Sequence, residues 1–133
     1  MEFVSIRIIT DDVARLVAFY EQVTGTTATW GNENFAELAT DSGTLAVAGT
    51  RTVPLFGAGA AESGANRSVI IEYLVDDVDA VHEKLRGLVE EAVVTEPTTM
   101  PWGNRSFLFR DPDVNLVNLF TPVTPQARQK FGR

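Results

Sequence analysis

The chain has 133 residues, of which 44% are hydrophobic and 22% charged, which is the size and composition of one globular domain. A formal net charge of −7 and the lack of a basic stripe argue against binding to nucleic-acid phosphates. No apolar run reaches the roughly 18 residues that span a bilayer, and the first residues do not have the basic character expected of a secretory signal. No cysteine is present for disulfides, zinc–thiolate sites or a thiol nucleophile. We expect a cytoplasmic protein without nucleic-acid or membrane partners.

The first predicted elements are a strand and a helix. Residues 3–10 alternate apolar and polar side chains, which is typical of a strand with one buried face. Residues 13–23 repeat apolar positions at helical spacing, and Gly25 marks the end of this helix. Asp12 stands at the helix start, where an aspartate accepts hydrogen bonds from free backbone N–H groups and complements the helix dipole.

A second strand and helix repeat this pattern further along the chain. Residues 68–75 predict a strand, Asp77 begins the next helix, and residues 78–88 have helical spacing. Two unrelated helix caps are the alternative reading. The offset of 65 residues between Asp12 and Asp77, together with the matching strands before them, favours an internal repeat.

Three shorter strands are predicted after each helix, bounded by turns rich in glycine, asparagine and aspartate. They cover residues 26–30, 35–39 and 44–48 in the first half and residues 91–95, 105–110 and 115–120 in the second. We therefore predict a single α+β domain of two βαβββ modules, residues 1–49 and 68–122. Residues 50–67 would form a flexible linker or a lid. The tail of residues 123–133 is expected to be loosely ordered, with Pro125 able to start a short helix.

Three runs of sequence carry a family resemblance. They are the run from Asp12 through Phe19-Tyr20 to Gly25, the run from Val75 to Val81, and the closing run from Pro101 to Phe120. This arrangement resembles the vicinal-oxygen-chelate superfamily, which contains glyoxalase, bleomycin-resistance and extradiol-dioxygenase proteins. The resemblance implies that each module curls its mixed sheet into a half-cup, and that two half-cups, from one chain or from two, form a cup-shaped ligand cavity. It indicates the fold more strongly than the activity, because this fold hosts several chemistries and pure binders.

Enzymes of this family hold a divalent metal through histidine and glutamate, and the resemblance indicates where those ligands would stand. The histidine positions correspond to Ser5 and Ile70, and the glutamate positions to Asn118 and approximately Ala46. None of these side chains replaces an imidazole or a carboxylate around a divalent cation, so we expect no metal and no other cofactor. His82, the only histidine, is predicted to lie in the second helix with a structural or surface role.

The alternation of side chains along a strand predicts which of them face the cup. In the first strand, Ser5 and Arg7 lie on the face away from the helix, and Ile70 and Glu72 do so in the fifth strand. Arg7 and Glu72 occupy equivalent places in the two modules. They could form a partly buried ion pair, orient a polar group of a ligand, or each contact solvent or a neighbouring strand.

Aromatic and small side chains complete the predicted ligand site, since aromatic faces suit flat or conjugated ligands. Trp30 and Phe35 are placed near the rim of the first half, and Phe56 in the linker could close over a ligand. For any one of these aromatic residues, a core or dimer role is the alternative. The predicted ligand-binding residues are Ser5, Arg7, Trp30, Phe35, Ala46, Phe56, Ile70, Glu72, Trp102, Ser106, Leu108, Asn118 and Phe120.

Lost metal ligands and retained aromatic residues predict a metal-independent protein that binds a small aromatic or hydrophobic molecule. By resemblance, it would sequester a natural product or an antibiotic such as bleomycin or mitomycin, as a homodimer. Two alternatives stay open. A lyase, isomerase or dioxygenase of the same superfamily could use an atypical metal site or metal-free acid–base catalysis through Glu72. A subunit or regulatory module without a ligand would have an empty or filled cup.

Overall fold

The computed structural model describes all residues from 1 to 133 and divides into two compact units, Met1–Asn66 and Arg67–Arg133. Each unit contains a strand, a helix and three further strands, and each forms a four-stranded mixed sheet. The predicted α+β class with two βαβββ modules is confirmed. No helix of the chain has the length and apolar character needed to cross a membrane.

The first unit has the sheet order β1-β4-β3-β2, with β1 parallel to β4 and the other neighbours antiparallel. The helix α1 packs on β3 and β4. The elements are β1 Ser5–Thr10, α1 Val13–Thr24, β2 Thr29–Asn32, β3 Phe35–Ala39, β4 Thr44–Gly49 and a short helix α2 Val53–Phe56.

The second unit repeats this topology, with the sheet order β5-β8-β7-β6 and β5 parallel to β8. The helix α3 packs on β6, β7 and β8. The elements are β5 Ile70–Leu74, α3 Val78–Val89, β6 Val93–Thr99, β7 Asn104–Arg110, β8 Leu116–Pro122 and a short helix α4 Pro125–Lys130.

Both main helices begin at the predicted aspartates. The side chain of Asp12 accepts a hydrogen bond from the backbone N–H of Arg15 at 3.1 Å, and that of Asp77 accepts one from Ala80 at 3.1 Å. At the other end of α1, Gly25 adopts the left-handed conformation with φ 71°, which a residue without a Cβ reaches at no steric cost. The same capping chemistry therefore starts both repeats.

Some predicted strand boundaries are wrong by a few residues. β2 begins at Thr29 rather than at residue 26, because the segment before it bonds back to α1. The N–H of Thr26 donates to Thr24 Oγ1 at 3.1 Å, and the N–H of Ala28 donates to the Glu21 carboxylate at 2.8 Å. In the second unit, β6 begins two residues later than predicted, because a turn of 3₁₀ helix follows α3 first.

In the first unit, one sheet face packs on α1 and the other, which we call the open face, does not. A Cβ placed on Gly49 would lie 3.4 Å from Val13 of α1, so Gly49 and the residues at two-residue spacing from it face the helix. Leu45 and Val47 belong to this helix face and are buried. Ala46, between them, lies on the open face.

The second unit has the same two faces. Phe107 of β7 contacts His82 of α3 edge to face, with ring centroids 4.8 Å apart, and Arg105 pairs with Asp79 of α3. These residues and Phe109, packed 5.1 Å from Phe107, define the helix face. Phe107 and Phe109 are fully buried.

The turn between β7 and β8 contains a strained residue. Val114 has φ 62°, a left-handed conformation that a β-branched side chain rarely adopts. Asp111 organises this turn, because its carboxylate accepts from the backbone N–H groups of Asp113 and Asn115 at 2.8 and 3.0 Å. A glycine would adopt this conformation without steric cost, whereas the Cβ of Val114 does not, which accounts for the strain.

The linker and the tail are more regular than the sequence indicated. In the linker, α2 forms, and Ser63 Oγ accepts a hydrogen bond from the N–H of Asp11 at 3.1 Å, so this segment packs on the first unit. In the tail, Pro125 starts α4 as expected, and Gly103 at φ 94° leaves room for the Thr124 side chain, with which a Cβ would collide. The tail therefore belongs to the second unit.

Candidate functional site

The open face of the first unit is built around Arg7. Arg7 pairs with Ala46 of β4, and its guanidinium lies 4.8 Å from the ring centroid of Phe35 and 5.2 Å from that of Phe56. Phe35 reaches this face from β3, where it pairs with Ala48. The structure thus brings together three predicted site residues, with a cation in contact with two aromatic rings.

Small side chains lie next to the Arg7 cluster. Ala46 and Ala48 are 1% and 0% exposed, and each occupies little volume on the open face of β4. Ser5 lies two residues before Arg7 on the same face of β1 and is half-buried. Of the two rings in contact with Arg7, that of Phe56 is exposed, with 67% of the residue's surface accessible. A flat molecule can therefore reach the cluster from the side of Phe56.

Trp30 lies on the other side of this sheet. We expected it near the rim together with Phe35, but it pairs with Ala36, a buried residue of the helix face. The register shifts between Trp30 and Asn32, and a bulge of this kind changes which face the following side chains occupy. Trp30 is therefore not part of the Arg7 cluster.

The open face of the second unit carries a carboxylate where the first unit has a guanidinium. Glu72 pairs with Asn118 of β8, and the side-chain nitrogen of Asn118 donates to Glu72 Oε2 at 2.8 Å. Leu108 of β7 stands directly opposite Asn118, and Ser106 is its neighbour on the same face. Within their own units, Glu72 contacts its neighbouring strand β8, one of the alternatives left open by the sequence, whereas Arg7 contacts aromatic rings from β3 and α2.

Several polar atoms on this second open face have no hydrogen-bond partner from the protein. They are Asn104 Oδ1, Ser106 Oγ and Asn118 Oδ1. Ser106 is 1% exposed and Asn118 is 8% exposed. Asn104 was missed by the sequence prediction, which started the strand one residue later. The signal that could have found it is the two-residue spacing from Ser106.

The other predicted residues of the second unit have different surroundings. Phe120 is buried and its ring lies 5.2 Å from that of Phe131 in the tail, so a segment of this chain already covers it. Trp102 is 66% exposed in the turn before β7, and Ile70 is 47% exposed on the edge strand β5. Of these three, only Ile70 and Phe120 share the open face with Glu72.

The residues at the family's metal-ligand positions do not fit a divalent cation. The register pairs Arg7 with Ala46 as it pairs Glu72 with Asn118, so Ala46 is the counterpart of Asn118. With Ser5 and Ile70, these positions offer a hydroxyl, a methyl, an alkyl chain and an amide. Nowhere in the chain are three histidine, cysteine, aspartate or glutamate side chains grouped so that they could hold a metal ion.

Two other ionisable groups lie away from the open faces. Desolvation by burial raises the pKa of Tyr73 to about 12, and its position between Glu72 and Leu74 puts it on the helix face. His82 Nε2 lies 2.7 Å from Glu96 Oε2, at a cleft of about 340 Å³ between α3 and β6. Both residues contribute to the packing of the helix rather than to the candidate site.

The comparisons with known proteins agree with this geometry. Residues 2–119 match the sequence model of the Glyoxalase/Bleomycin resistance protein/Dioxygenase superfamily, whereas the search of curated proteins gave no match. A glyoxalase/bleomycin resistance protein/dioxygenase from Nocardioides superposes with a TM-score of 0.76 at 21% identity, over 94% of this chain and 85% of that one. A family enzyme from Burkholderia phytofirmans PsJN gives 0.77 at 17% identity, over 90% of this chain and 97% of that one.

A third similar structure is a glyoxalase-related enzyme from Fulvimarina pelagi, with a TM-score of 0.75 at 16% identity, over 90% of this chain and 87% of that one. At such identities these structures show a common fold and leave the activity open. The sequence match covers most of the chain, including both βαβββ units up to the last strand. The chain belongs to the Glyoxalase/Bleomycin resistance protein/Dioxygenase superfamily.

Proposed function

We propose that the protein is a metal-independent binder of a small aromatic or hydrophobic molecule, which it sequesters as an antibiotic-resistance or metabolite-binding protein would. The observation that carries this proposal is the contact of Arg7 with both Phe35 and Phe56. A guanidinium in contact with aromatic rings offers a flat ligand both a stacking surface and a charge.

The chemistry of the first open face suits a planar anion. A ligand ring can stack on the exposed face of Phe56, and the guanidinium of Arg7 can donate to a carboxylate, sulfonate or phenolate. Ala46 and Ala48 are buried beside the cluster and add apolar surface to it. Family membership supports the proposal, since the superfamily includes bleomycin resistance proteins. The absence of imidazole and carboxylate side chains at the four metal positions also favours binding without a metal.

A titration with the fluorescent aromatic anion 8-anilinonaphthalene-1-sulfonate tests this function. Phe56→Ala removes one stacking surface, which is worth about 0.5–1.5 kcal/mol, and so should raise Kd by about two- to tenfold. Arg7→Gln should weaken binding by a similar factor because it removes the charge but keeps the length of the side chain.

Leu55→Ala is the matched control, because Leu55 is the adjacent residue of α2 and is 86% exposed. It should leave Kd unchanged. Equal losses from Leu55→Ala and Phe56→Ala would point to nonspecific adsorption on exposed apolar surface. Failure of the wild-type chain to bind this probe, or any other in a panel of planar aromatic anions, would contradict the proposed function.

A further inference from the structure

The open face of the second unit has a row of buried polar atoms that the protein itself does not satisfy. Asn104 Oδ1 and Ser106 Oγ follow each other along β7, and Asn118 Oδ1 lies on the neighbouring strand β8. Buried polar groups of folded proteins are nearly always hydrogen-bonded, since an unpaired one costs free energy. Three such atoms on one face of one sheet call for a common explanation.

The orientation of Asn118 determines what this face can accept. Its amide nitrogen already donates to Glu72 Oε2 at 2.8 Å, so its oxygen is the free group. The Glu72 carboxylate and the free oxygen of Asn104 are acceptors as well, and the Ser106 hydroxyl can act either way. The set therefore requires hydrogen-bond donors from a ligand.

The charge of the face adds to this requirement. Glu72 is exposed and forms no salt bridge within its own unit. Arg105 cannot neutralise it, because its guanidinium is bound to Asp79 on the helix face. Arg110, which does lie on the open face of β7, donates to the carbonyl of Val114 at 3.2 Å. A ligand with a positive charge would compensate the carboxylate.

We propose that Glu72 and Asn118, with the Ser106 hydroxyl further along the same face, form a subsite for an organic ammonium group, so that ligands of this protein carry a protonated amine. An ammonium has three N–H donors and no acceptor, which matches a carboxylate that is hydrogen-bonded to a side chain with a free amide oxygen. It can bind at the exposed carboxylate of Glu72 and donate to the free oxygen of Asn118, the side chain that is hydrogen-bonded to this carboxylate. The proposal rests on the small-molecule-binding function above and names the ligand chemistry at a different face.

Competing ligand chemistries fit this face less well. A neutral hydroxyl or amide can donate to one free oxygen but leaves the charge of Glu72 uncompensated. A carboxylate ligand would be repelled by Glu72 and would bring further acceptors to a face that already has acceptors. The same carboxylate would be attracted to Arg7 in the first unit, so the two open faces should select ligand groups of opposite charge.

The test is an NMR titration of the full-length, isotope-labelled chain with three probes that share a phenyl ring: benzylamine, benzyl alcohol and benzoate. Benzylamine, which is protonated at neutral pH, should shift the amide signals of β5, β7 and β8 together with the side-chain NH₂ signal of Asn118. Its Kd should be at least about tenfold lower than that of benzyl alcohol, as expected for a charged hydrogen-bonded contact.

Substitutions separate the subsite from general attraction of a cation by an acidic protein. Glu72→Gln should raise the Kd of benzylamine about tenfold, and Ser106→Ala should give a smaller rise. Glu37→Gln is the matched control, since Glu37 is a half-buried carboxylate on the open face of the first unit, opposite Ala46. It should leave benzylamine binding unchanged.

Equal affinity for benzylamine and benzyl alcohol, shifts confined to the first unit, or equal effects of Glu72→Gln and Glu37→Gln would each overturn the subsite. Failure of the ammonium subsite and failure of the proposed function give different results. Loss of the subsite alone leaves the aromatic anion bound at Arg7 and Phe56. If the aromatic anion fails to bind while benzylamine binds through Glu72, the Arg7 site is wrong and the ammonium subsite stands.

Discussion

The two units share one topology but differ in the chemistry of their open faces. The first strand of each unit pairs with the fourth. At equivalent positions of this pairing, Arg7 lies opposite Ala46 and Glu72 lies opposite Asn118. The first unit presents a cation between aromatic rings. The second presents a carboxylate held by an amide, with free polar oxygens beside it.

The helix faces of the two units are much more alike. Ile8 pairs with Val47 in the first unit, and Tyr73 pairs with Leu119 in the second. Each unit must bury one side of its helix, and apolar side chains at two-residue spacing on the sheet meet that need. The open face is free of this requirement in its own unit. The repeat therefore preserves packing on the helix side of the sheet, while the chemistry of the open face diverges.

The equivalence of the two units predicts equal contributions of the two helix caps to stability. Asp12→Ala and Asp77→Ala should each lower the free energy of unfolding by about 1 kcal/mol, because each removes a side chain that accepts from a free N–H at 3.1 Å. Urea denaturation followed by circular dichroism measures both changes.

Asparagine at either position keeps the capping oxygen and should restore most of the loss. Clearly unequal effects of the two alanine substitutions would show that the helix starts are not equivalent. In that case, the two units would share their strand arrangement, but their helix caps would contribute differently to the free energy of unfolding.

The capped helices and the alternating strands could be predicted because local rules determine them. Asp12, Asp77 and Gly25 act through contacts a few residues away. Alternation also assigned Arg7 and Glu72 to the open faces, since the side-chain period of a strand is fixed. The sequence indicated only approximately that Ala46 corresponds to Asn118, and the strand register of the structure establishes this correspondence.

The rest of the site depends on contacts that no local pattern encodes. Phe56 reaches Arg7 from a linker without periodicity, and Phe131 reaches Phe120 from a tail that was expected to be loosely ordered. Trp30 was misplaced because a bulge in β2 changes the face, and bulges leave little trace in a single sequence. These are tertiary effects, in which distant segments or an irregular register override the local expectation.

A smaller effect is expected at the turns that precede the last strand of each unit. In the first unit, Thr40 and Gly43 close the turn with a 2.9 Å hydrogen bond and no residue is strained, whereas Val114 in the second unit has φ 62°. Val114→Gly should raise the free energy of unfolding by about 0.5–1 kcal/mol, the relief of left-handed strain less the added entropy of glycine in the unfolded chain.

Chemical denaturation of both Val114→Gly and Val114→Ala separates the effect of backbone strain on the free energy of unfolding from the effect of the lost side chain. Val114 is 49% exposed, so either substitution removes little buried surface. Alanine keeps a Cβ and should gain much less than glycine. A glycine variant no more stable than the alanine variant would mean that the turn, like its counterpart in the first unit, is not under backbone strain.

The smallest effect concerns an ion pair that exists in the second unit only. Arg105 donates to both carboxylate oxygens of Asp79, at 2.8 and 3.0 Å, whereas Ala14 occupies the corresponding helix position in the first unit. The hydrogen bond from Arg105, aided by its positive charge, lowers the pKa of Asp79 below its ordinary value of 3.8. The folded state therefore favours the carboxylate.

A group whose pKa is lowered by folding stabilises the protein above its unfolded pKa, and this contribution is lost as the pH falls through the folded pKa. Asp79→Asn should thus have a slightly lower free energy of unfolding than the wild type at neutral pH. This gap in free energy should close as the pH falls below 3.8, and it should be smaller in high salt. Urea denaturation across this pH range measures the gap. Ala14→Asp places a carboxylate at the equivalent position in the first turn of α1 without Arg105, so its pH dependence gives the baseline contribution of the helix dipole with which the gap at Asp79 is compared. A gap at Asp79 that stays constant from neutral to acidic pH would mean that the charge of this carboxylate does not stabilise the packing of α3 on β7.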